Sequence, residues 1–300
     1  MKKIGNIKLI ILLLVLVGIY FALDFSVRKN RSESIRSELV NLDIPLVSKI
    51  EIASPKNNVS LAKKGEEWEL TLPNGKDVVA SASSVSNILN TLSSIKPSRL
   101  ASKKKEQWKE YQVDTAGTEV KIYQGNELTL DIILGRFSME SQQSYSSFVR
   151  LADESEVYNV KNFMAFSVPT DPNAYRDKTV ARIHKDSLEK ITFSYPGDSS
   201  FVLSKGAEMW DIQGEKADST SVAKYLSSLS YLSSSQFYDQ EIAAFSLVVS
   251  VVFSHANGQE IKLSGYIREG ERIVHSSNNS QAYFKDGNLW DKVFVSASKF

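Results

Sequence analysis

The chain contains 300 residues, of which 42% are hydrophobic and 24% are charged. This balance is typical of folded proteins with a sizeable core, and the length favours two folded units. The net charge of +1 argues against a protein that follows nucleic-acid phosphates, because such proteins carry a clear basic excess. Since the chain has no cysteine, disulfides, thiolate zinc sites, iron–sulfur clusters and cysteine nucleophiles are excluded. No cofactor and no nucleic-acid partner are expected.

An apolar segment near the N-terminus predicts a membrane anchor. Residues 9–23 carry no charge, and basic side chains flank them on both sides. At ~1.5 Å per residue the run spans about 22 Å, so neighbouring apolar residues must help it to cross the ~30 Å hydrocarbon core. We therefore expect a single-pass helix that contacts the lipid bilayer through residues 8–27. The alternative is a cleaved signal peptide, although the residues after the run lack a small-residue cleavage pattern.

The orientation of this segment follows from its position in the chain. Basic residues nearly balance on its two sides, so charge alone does not decide. A short tail before the helix and a large domain after it are typical of a signal anchor. This layout predicts a protein of the bacterial cytoplasmic membrane, with the bulk of the chain outside the cytoplasm.

We divide the chain into five parts. Residues 1–27 form the tail and anchor, and residues 28–46 form a polar helical stalk that ends at Pro45. The folded units are predicted over 47–168 and 188–300. Residues 169–187, which contain two prolines, form the bridge between them.

The two predicted units repeat one pattern, which is the strongest indication of architecture in the sequence. Three short alternating segments over residues 50–70 predict strands, and three segments over 191–212 follow in the same order. Trp68 and Trp210 lie in corresponding strands of the two sets. Their repeated position favours a core anchor in each unit rather than a ligand-stacking residue.

A helix is predicted after each set of strands, with Ser81 or Asp218 as its N-cap. Its apolar residues recur at steps of three and four: Val85, Ile88, Leu89, Leu92 and Ile95 in the first unit, and Val222, Tyr225, Leu226, Leu229 and Leu232 in the second. Gly125 and Gly258 then mark hairpin turns between alternating strands. The predicted fold class is α+β: an N-terminal transmembrane helix, then two tandem repeats of an antiparallel β-sheet with packed helices.

The sequence lacks the patterns that carry catalytic or metal chemistry. No serine lies in a G-x-S-x-G turn, and no P-loop occurs. His184, His255 and His275 lack ligand spacing, so we interpret them as surface or strand-edge residues. The acidic residues of 153–156 are interpreted as a solvated loop between two strands. No catalytic, cofactor-binding or metal-ligating residue is predicted, and the chain is not expected to be an enzyme.

A few residues remain as candidates for an interaction with a partner. Trp108 and Trp290 occupy positions that are not equivalent between the two units, which favours a surface role for both. The basic run consists of Lys103, Lys104 and Lys105. Such a run can contact anionic lipid headgroups, although it is more often a solvated face.

Several segments together resemble the DUF4340 family, a domain of unknown function. They are the anchor, the strand around Trp68, and the segments Tyr111-Gln112-Val113-Asp114, Leu134-Gly135, Phe148-Val149-Arg150 and Val157-Tyr158-Asn159-Val160. The family pattern has Tyr-Gly-Leu-Asp where this chain has Tyr-Gln-Val-Asp. The resemblance covers roughly residues 47–165, with a weaker echo in 188–300. It implies a membrane-anchored bacterial envelope protein, often encoded near ABC-type transport components that include gliding-motility ones, and it supplies no reaction.

The expected function is therefore that of a non-enzymatic accessory or interaction subunit in an ABC-type transport or gliding-motility-like envelope complex. The alternative is a ligand-binding or hydrolytic envelope domain that uses a cleft between the two repeats, with polar groups from loops 136–147 and 264–281. A structural spacer is a third possibility. Exposed strand edges offer one route to a partner, because an added segment can extend a sheet through main-chain hydrogen bonds.

Overall fold

The computed structural model describes residues 15–17, 19, 36, 38–207, 209–240 and 246–300. The predicted anchor over 8–27 lies outside these residues, except for 15–17 and 19. Within the part of the chain that the structure describes, no helix is both long and apolar enough to cross a membrane. The chain divides into two compact units between Arg176 and Asp177, a point inside the predicted bridge.

The predicted helical stalk is wrong over its described part. Residues 38–43 are not helical, and Ile44–Leu46 form one 3-10 turn. Leu39 and Val40 are 7% and 4% exposed and belong to the core of the first unit. Two adjacent large apolar side chains gain more from burial in a core than from exposure on a solvated rod.

The first unit contains one nine-stranded sheet in the order β4-β3-β2-β1-β6-β7-β8-β9-β5. Its strands are β1 (Val47–Ala53), β2 (Asn58–Lys64), β3 (Glu67–Thr71), β4 (Asp77–Val79), β5 (Arg99–Ser102), β6 (Thr118–Gln124), β7 (Glu127–Ser141), β8 (Ser144–Leu151) and β9 (Val157–Lys161). Its helices are α1 (Ala82–Ser93) and the single turn α2 (Trp108–Tyr111). All neighbouring strands pair antiparallel.

The core of this unit lies between one face of the sheet and α1. Ile50 and Ile52 of β1 are buried, whereas Glu51 between them is only half-buried, as the strand period of two requires. The apolar stripe of α1 is buried against the same cluster. Ser81 caps the helix, because its Oγ accepts a hydrogen bond from the backbone N–H of Ser84 at 3.3 Å. The predicted cap is confirmed, and so is the helix face from Val85 to Leu92, whereas Ile95 lies buried after the end of the helix.

The second unit contains an eight-stranded sheet in the order β14-β13-β12-β11-β16-β17-β18-β19, and a separate pair of β10 with β15. These strands are β10 (Thr179–Arg182), β11 (Leu188–Ser194), β12 (Phe201–Lys205), β13 (Trp210–Ile212), β14 (Glu215–Lys216), β15 (Tyr231–Ser233), β16 (Leu247–His255), β17 (Glu260–Arg268), β18 (Glu271–Ser276) and β19 (Asn279–Lys285). The helices are α3 (Ser219–Leu229) and α4 (Gly287–Val293). Asp218 caps α3 through a 2.7 Å bond to the N–H of Ser221.

The two large sheets have the same arrangement of strands relative to their order in the chain. In each, four strands form a meander on one side, a helix follows the fourth strand, and a second meander returns beside the first strand. The sheets differ after the helix, because β5 joins the edge of its sheet whereas β15 pairs with β10. The predicted antiparallel α+β character is confirmed.

The loops predicted over 136–147 and 264–281 are mostly β-hairpins. β7 continues to Ser141 and β8 begins at Ser144, so a two-residue turn joins them. β17 and β18 are joined by a two-residue turn as well, before Glu271. The error arises because short polar stretches read as loops, although alternate residues such as Phe137 and Met139 keep the period of a strand.

Candidate interaction surface

The basic run lies between β5 and α2 in the first unit. Lys103, Lys104 and Lys105 are all exposed. The buried hydroxyl of Ser102 accepts a 2.9 Å hydrogen bond from the backbone N–H of Lys104. The same hydroxyl donates to the side chain of Gln107 at the end of the following 3-10 turn. One serine thus holds the chain at Lys104 and at Gln107, on either side of Lys105.

Trp108 begins α2 directly after this turn, and it contacts two cations. Its indole N–H donates a 3.1 Å hydrogen bond to the backbone carbonyl of Ser155 in the turn between β8 and β9. The Arg150 guanidinium lies 3.7 Å from the ring centroid, and the Lys105 ammonium lies 5.6 Å from it. Each distance is within the range of a cation–π interaction. The structure therefore brings together two of the predicted sites, Trp108 and the basic run.

Arg150 is 4% exposed and hydrogen-bonds to backbone carbonyls of two loops. Its Nε donates to Val113 at 3.1 Å, after α2. Its Nη1 lies within 3.0 Å of three carbonyl oxygens, those of Leu151, Ala152 and Glu154. Burial lowers the pKa of Arg150 below its ordinary value, while carboxylates that include Asp131 act against this shift. We call Arg150, Trp108 and these carbonyls the arginine clamp.

The apolar part of the same face is closely packed around the clamp. The rings of Tyr111 and Phe148 lie 4.5 Å apart between centroids. A Cβ on Gly135 would overlap the carbonyl oxygen of Tyr111 and would lie 2.6 Å from Cγ1 of Val113. Only glycine lets β7 approach the chain after α2 this closely. Four of the segments that carry the family resemblance, those around Tyr111, Gly135, Phe148 and Val157, therefore meet at one place in the fold.

Gln112, which stands where the family pattern has glycine, occupies a left-handed turn. It is the C-cap of α2 and has φ 53° and ψ 36°, a left-handed conformation. Glycine adopts this conformation without strain, whereas other L-residues lose roughly 1–2 kcal/mol. A glycine after the tyrosine is thus the residue that this turn favours, and the chain forms the turn with glutamine instead.

The remaining candidate residues lie elsewhere. Trp290, expected at the surface, is 8% exposed, and its ring lies over Gly265 in the core of the second unit. This burial arises because α4 turns its apolar stripe towards β17. Trp68 is 8% exposed, in agreement with the predicted core anchor, whereas Trp210 is only partly buried against its core.

One of the three histidines was interpreted wrongly. His255 is 4% exposed, and its Nδ1 lies 3.2 Å from the carbonyl oxygen of Gln259. Its Nε2 is buried and has no hydrogen-bond partner among the described residues. His184 is exposed, and His275 lies over the ring of Tyr283 at 4.3 Å. Among the described residues, no group of three His, Cys, Asp or Glu side chains could hold a metal ion.

Sequence reasoning missed a charged cluster on β6 and β7. Lys121 lies 3.0 Å from a carboxylate oxygen of Glu119 and 3.8 Å from one of Asp131. The other oxygen of Asp131 is buried without a hydrogen-bond partner among the described residues. Burial raises the pKa of Asp131, Lys121 opposes the shift, and the Glu119 carboxylate adds to it. Aligning β6 and β7 as a hairpin in the sequence could have revealed this cluster, because Lys121 and Asp131 are then directly opposite each other.

The comparison with known families agrees with the resemblance that these packed segments carry. The DUF4340 family, described as a domain of unknown function, has a model that matches residues 68–247. This match covers more than half of the chain. The chain belongs to the DUF4340 family. No curated protein and no solved structure matches it.

The match extends beyond the region that carried the resemblance in the sequence. In this DUF4340 chain it begins at Trp68 in β3, includes the whole arginine clamp, and continues to the start of β16 in the second unit. The first unit alone therefore does not contain the whole family domain. The family description supplies no reaction and no partner.

Proposed function

We propose that this DUF4340 chain is a non-enzymatic accessory subunit of an ABC-type transport complex in the bacterial envelope. Residues 8–27 anchor it in the cytoplasmic membrane, and the bulk of the chain lies outside the cytoplasm. The two α+β units arose by duplication and hold a partner protein. The charge-free run over 9–23 and the family resemblance support the anchor and the partner class.

One observation carries the interaction role. The family segments around Tyr111, Gly135 and Arg150 fix the backbone next to the exposed loop of Lys103, Lys104 and Lys105. Ser102, together with Trp108 of the clamp, holds this loop before any partner arrives, which reduces the entropy lost on binding. A positioned set of three ammonium groups suits a partner with an acidic surface. We therefore place the partner contact at this lysine loop.

Duplication is supported by the common strand order of the two sheets and by the side-chain caps of Ser81 and Asp218 before corresponding helices. A crystal structure of the full chain tests it directly. We expect β1–β4, α1 and β6–β9 to superimpose on β11–β14, α3 and β16–β19. A different connection of these elements in that structure would refute duplication.

The proposal is tested by affinity isolation of the full chain from membranes in mild detergent. Wild type is compared with a variant in which Lys103, Lys104 and Lys105 are all replaced by Glu. The matched control replaces the exposed Lys63, Lys76 and Lys96 of the same unit by Glu. We expect wild type and control to recover ABC-type transport subunits, and the lysine-loop variant to lose them.

Recovery of no transport subunit with any of the three chains would contradict the proposal. Equal recovery with all three would remove the lysine loop from the contact.

Protease accessibility in intact cells and in spheroplasts tests the topology: cleavage only in spheroplasts supports a periplasmic location, and protection in both refutes it. Flotation with anionic vesicles distinguishes lipid headgroups from a protein partner at the lysine loop.

A further inference from the structure

The strand β7 is much longer than its neighbour β6. β7 contains 15 residues and β6 contains seven. Pairing between them covers β7 from Glu127 to Leu134. Beyond this point β7 pairs only with β8, up to the pair of Ser141 with Ser144. Residues 135–141 therefore form an edge on the side where β6 has ended.

This edge lacks a backbone partner among the described residues. The backbone hydrogen bonds outside regular strands and helices include none from residues 135–141. In an antiparallel strand, alternate residues direct both the N–H and the C=O group to the same side. The pairing of β7 with β8 shifts register between Leu134 and Phe137 and again between Met139 and Ser141, so the regular alternation is kept over residues 137–139. One or two of these residues present both groups to the open side, which is the arrangement that an added strand needs.

A cleft lies beside the start of this free edge. Its volume is about 390 Å³, and Gly117, Gly135, Phe137, Phe166 and Pro169 are among the residues that line it. The rings of Phe137 and Phe166 meet edge to face, with centroids 5.1 Å apart. Phe166 is 66% exposed, and Met139 farther along the edge is 64% exposed. Large apolar side chains grouped at this exposure are typical of a binding surface.

The charge of the cleft indicates the chemistry of its occupant. Arg136 is the single charged residue among the described residues that line it, and no acidic side chain faces it there. Arg136 is exposed, and its guanidinium lies 5.4 Å and 6.0 Å from the ring centroids of Phe148 and Tyr111. Among these described lining residues, the guanidinium of Arg136 supplies the positive charge that complements a carboxylate.

We propose that the free edge of β7 binds an extended, acidic segment of a partner protein as an added β-strand. Main-chain hydrogen bonds join the segment to residues 137–139. A large apolar side chain of the segment packs on Phe137 and Phe166, and a neighbouring carboxylate pairs with Arg136. The inference rests on the proposed function and deepens it, because it specifies a second contact and the chemistry of the segment that makes it.

A library of random heptapeptides displayed on phage supplies the probe. It is selected against the immobilised full chain in detergent. We expect the enriched peptides to alternate and to combine Asp or Glu with a large apolar residue. The most enriched peptide is then synthesised with a fluorescent label, next to a version in which lysine replaces each acidic residue. Fluorescence anisotropy measures the binding of both.

Three variants make the assay specific. Arg136→Glu should weaken the acidic peptide about tenfold and strengthen the lysine version, since it reverses the charge of the cleft. Phe166→Ser should weaken both peptides. Leu128→Ser is the matched control, because Leu128 is 44% exposed on the same strand but lies where β6 covers it. The control should bind as wild type does.

Several results would overturn the inference. They are enrichment without acidic residues, an unchanged charge preference in Arg136→Glu, or equal losses for Phe166→Ser and Leu128→Ser. Concentration-dependent dimerisation that Phe166→Ser abolishes, with no peptide bound, would assign the edge to a second copy instead. These results leave the membrane isolation experiment untouched, so failure of this inference is distinguishable from failure of the proposed function.

Discussion

Replacing Arg150 by Met tests the arginine clamp most directly. Methionine keeps the length and apolar character of the side-chain stem but removes all polar contacts of the guanidinium. Those contacts are the four carbonyl hydrogen bonds and the stacking on Trp108 at 3.7 Å. The loop before β6 and the turn after β8 would then lose their common partner.

The expected loss of stability follows from these contacts. A hydrogen bond to a charged group contributes about 1.5–3 kcal/mol, and a desolvated cation–π contact contributes about 2 kcal/mol. The sum is offset because the variant no longer desolvates a guanidinium, which costs several kcal/mol. The carbonyls of Ala152 and Glu154 are only partly buried and regain water. We expect a net destabilisation of about 2–4 kcal/mol.

Urea unfolding of the full chain, followed by circular dichroism, measures this loss. Amide hydrogen exchange adds a local measurement, because residues 108–117 and 152–156 should exchange faster in Arg150→Met than in wild type. Arg150→Lys should give an intermediate loss, since one ammonium cannot reach both Val113 and the three carbonyls around Nη1. Arg136→Met, which removes an exposed cation from neighbouring rings, is the control for loss of charge alone.

A free energy of unfolding for Arg150→Met within about 0.5 kcal/mol of wild type would refute the reasoning. Such a result would mean that the desolvation of the guanidinium cancels its hydrogen bonds. An equal loss in Arg136→Met would also refute it, because the effect would then arise from charge and not from the buried contacts. Unchanged hydrogen exchange near Trp108 would show that the clamp does not order the lysine loop.

Three further predictions concern single positions. Gly135→Ala should lower the free energy of unfolding in urea by about 1–3 kcal/mol, because the new Cβ overlaps the backbone carbonyl oxygen of Tyr111. Gly287→Ala is the control: this glycine lies at the start of α4 with open space around it, so the change should be neutral or stabilising. Gln112→Gly should raise stability by about 0.5–1 kcal/mol, since it relieves a left-handed conformation; a lower midpoint would contradict this. Hydrogen bonds from Ser221 lower the pKa of the Asp218 carboxyl below its ordinary 3.8. The carboxylate therefore stabilises the fold above pH 3.8, and this stabilisation is lost as the pH falls through the lower pKa of the folded state. Asp218→Asn should keep the cap and flatten this acid-side dependence, which a series of urea midpoints from pH 2 to 6 would detect; an unchanged pH profile would count against it.

Local periodicity allowed much of the fold to be predicted. Alternation around Ile50 and Ile191 specified strands, and steps of three and four specified α1 and α3 with their caps. These features depend on residues within a few positions of each other, so the sequence contains their whole cause. The family resemblance likewise depended on short segments, and the family match agrees with it.

The candidate surface was predicted only in part. From the sequence, Trp108 and the lysines are candidate contact residues, but Arg150 stands only within a segment that resembles the family. Its role depends on carbonyls contributed by Val113 and by the turn after β8, and no local pattern indicates that these lie together. Trp290 was misjudged for the same reason, since its burial depends on Gly265, which is 25 positions away.

The amino-acid sequence by itself determined the alternation of strands such as β1 and β11, the caps and apolar faces of α1 and α3, and which family the segments resemble. Only the tertiary structure decided that a charged side chain is buried at Arg150, and that β7 outruns β6 to leave an open edge at 135–141. Strand and helix periods arise from the covalent chain and its nearest neighbours. Burial of a charge and exposure of an edge depend instead on which distant segments fill the adjacent space.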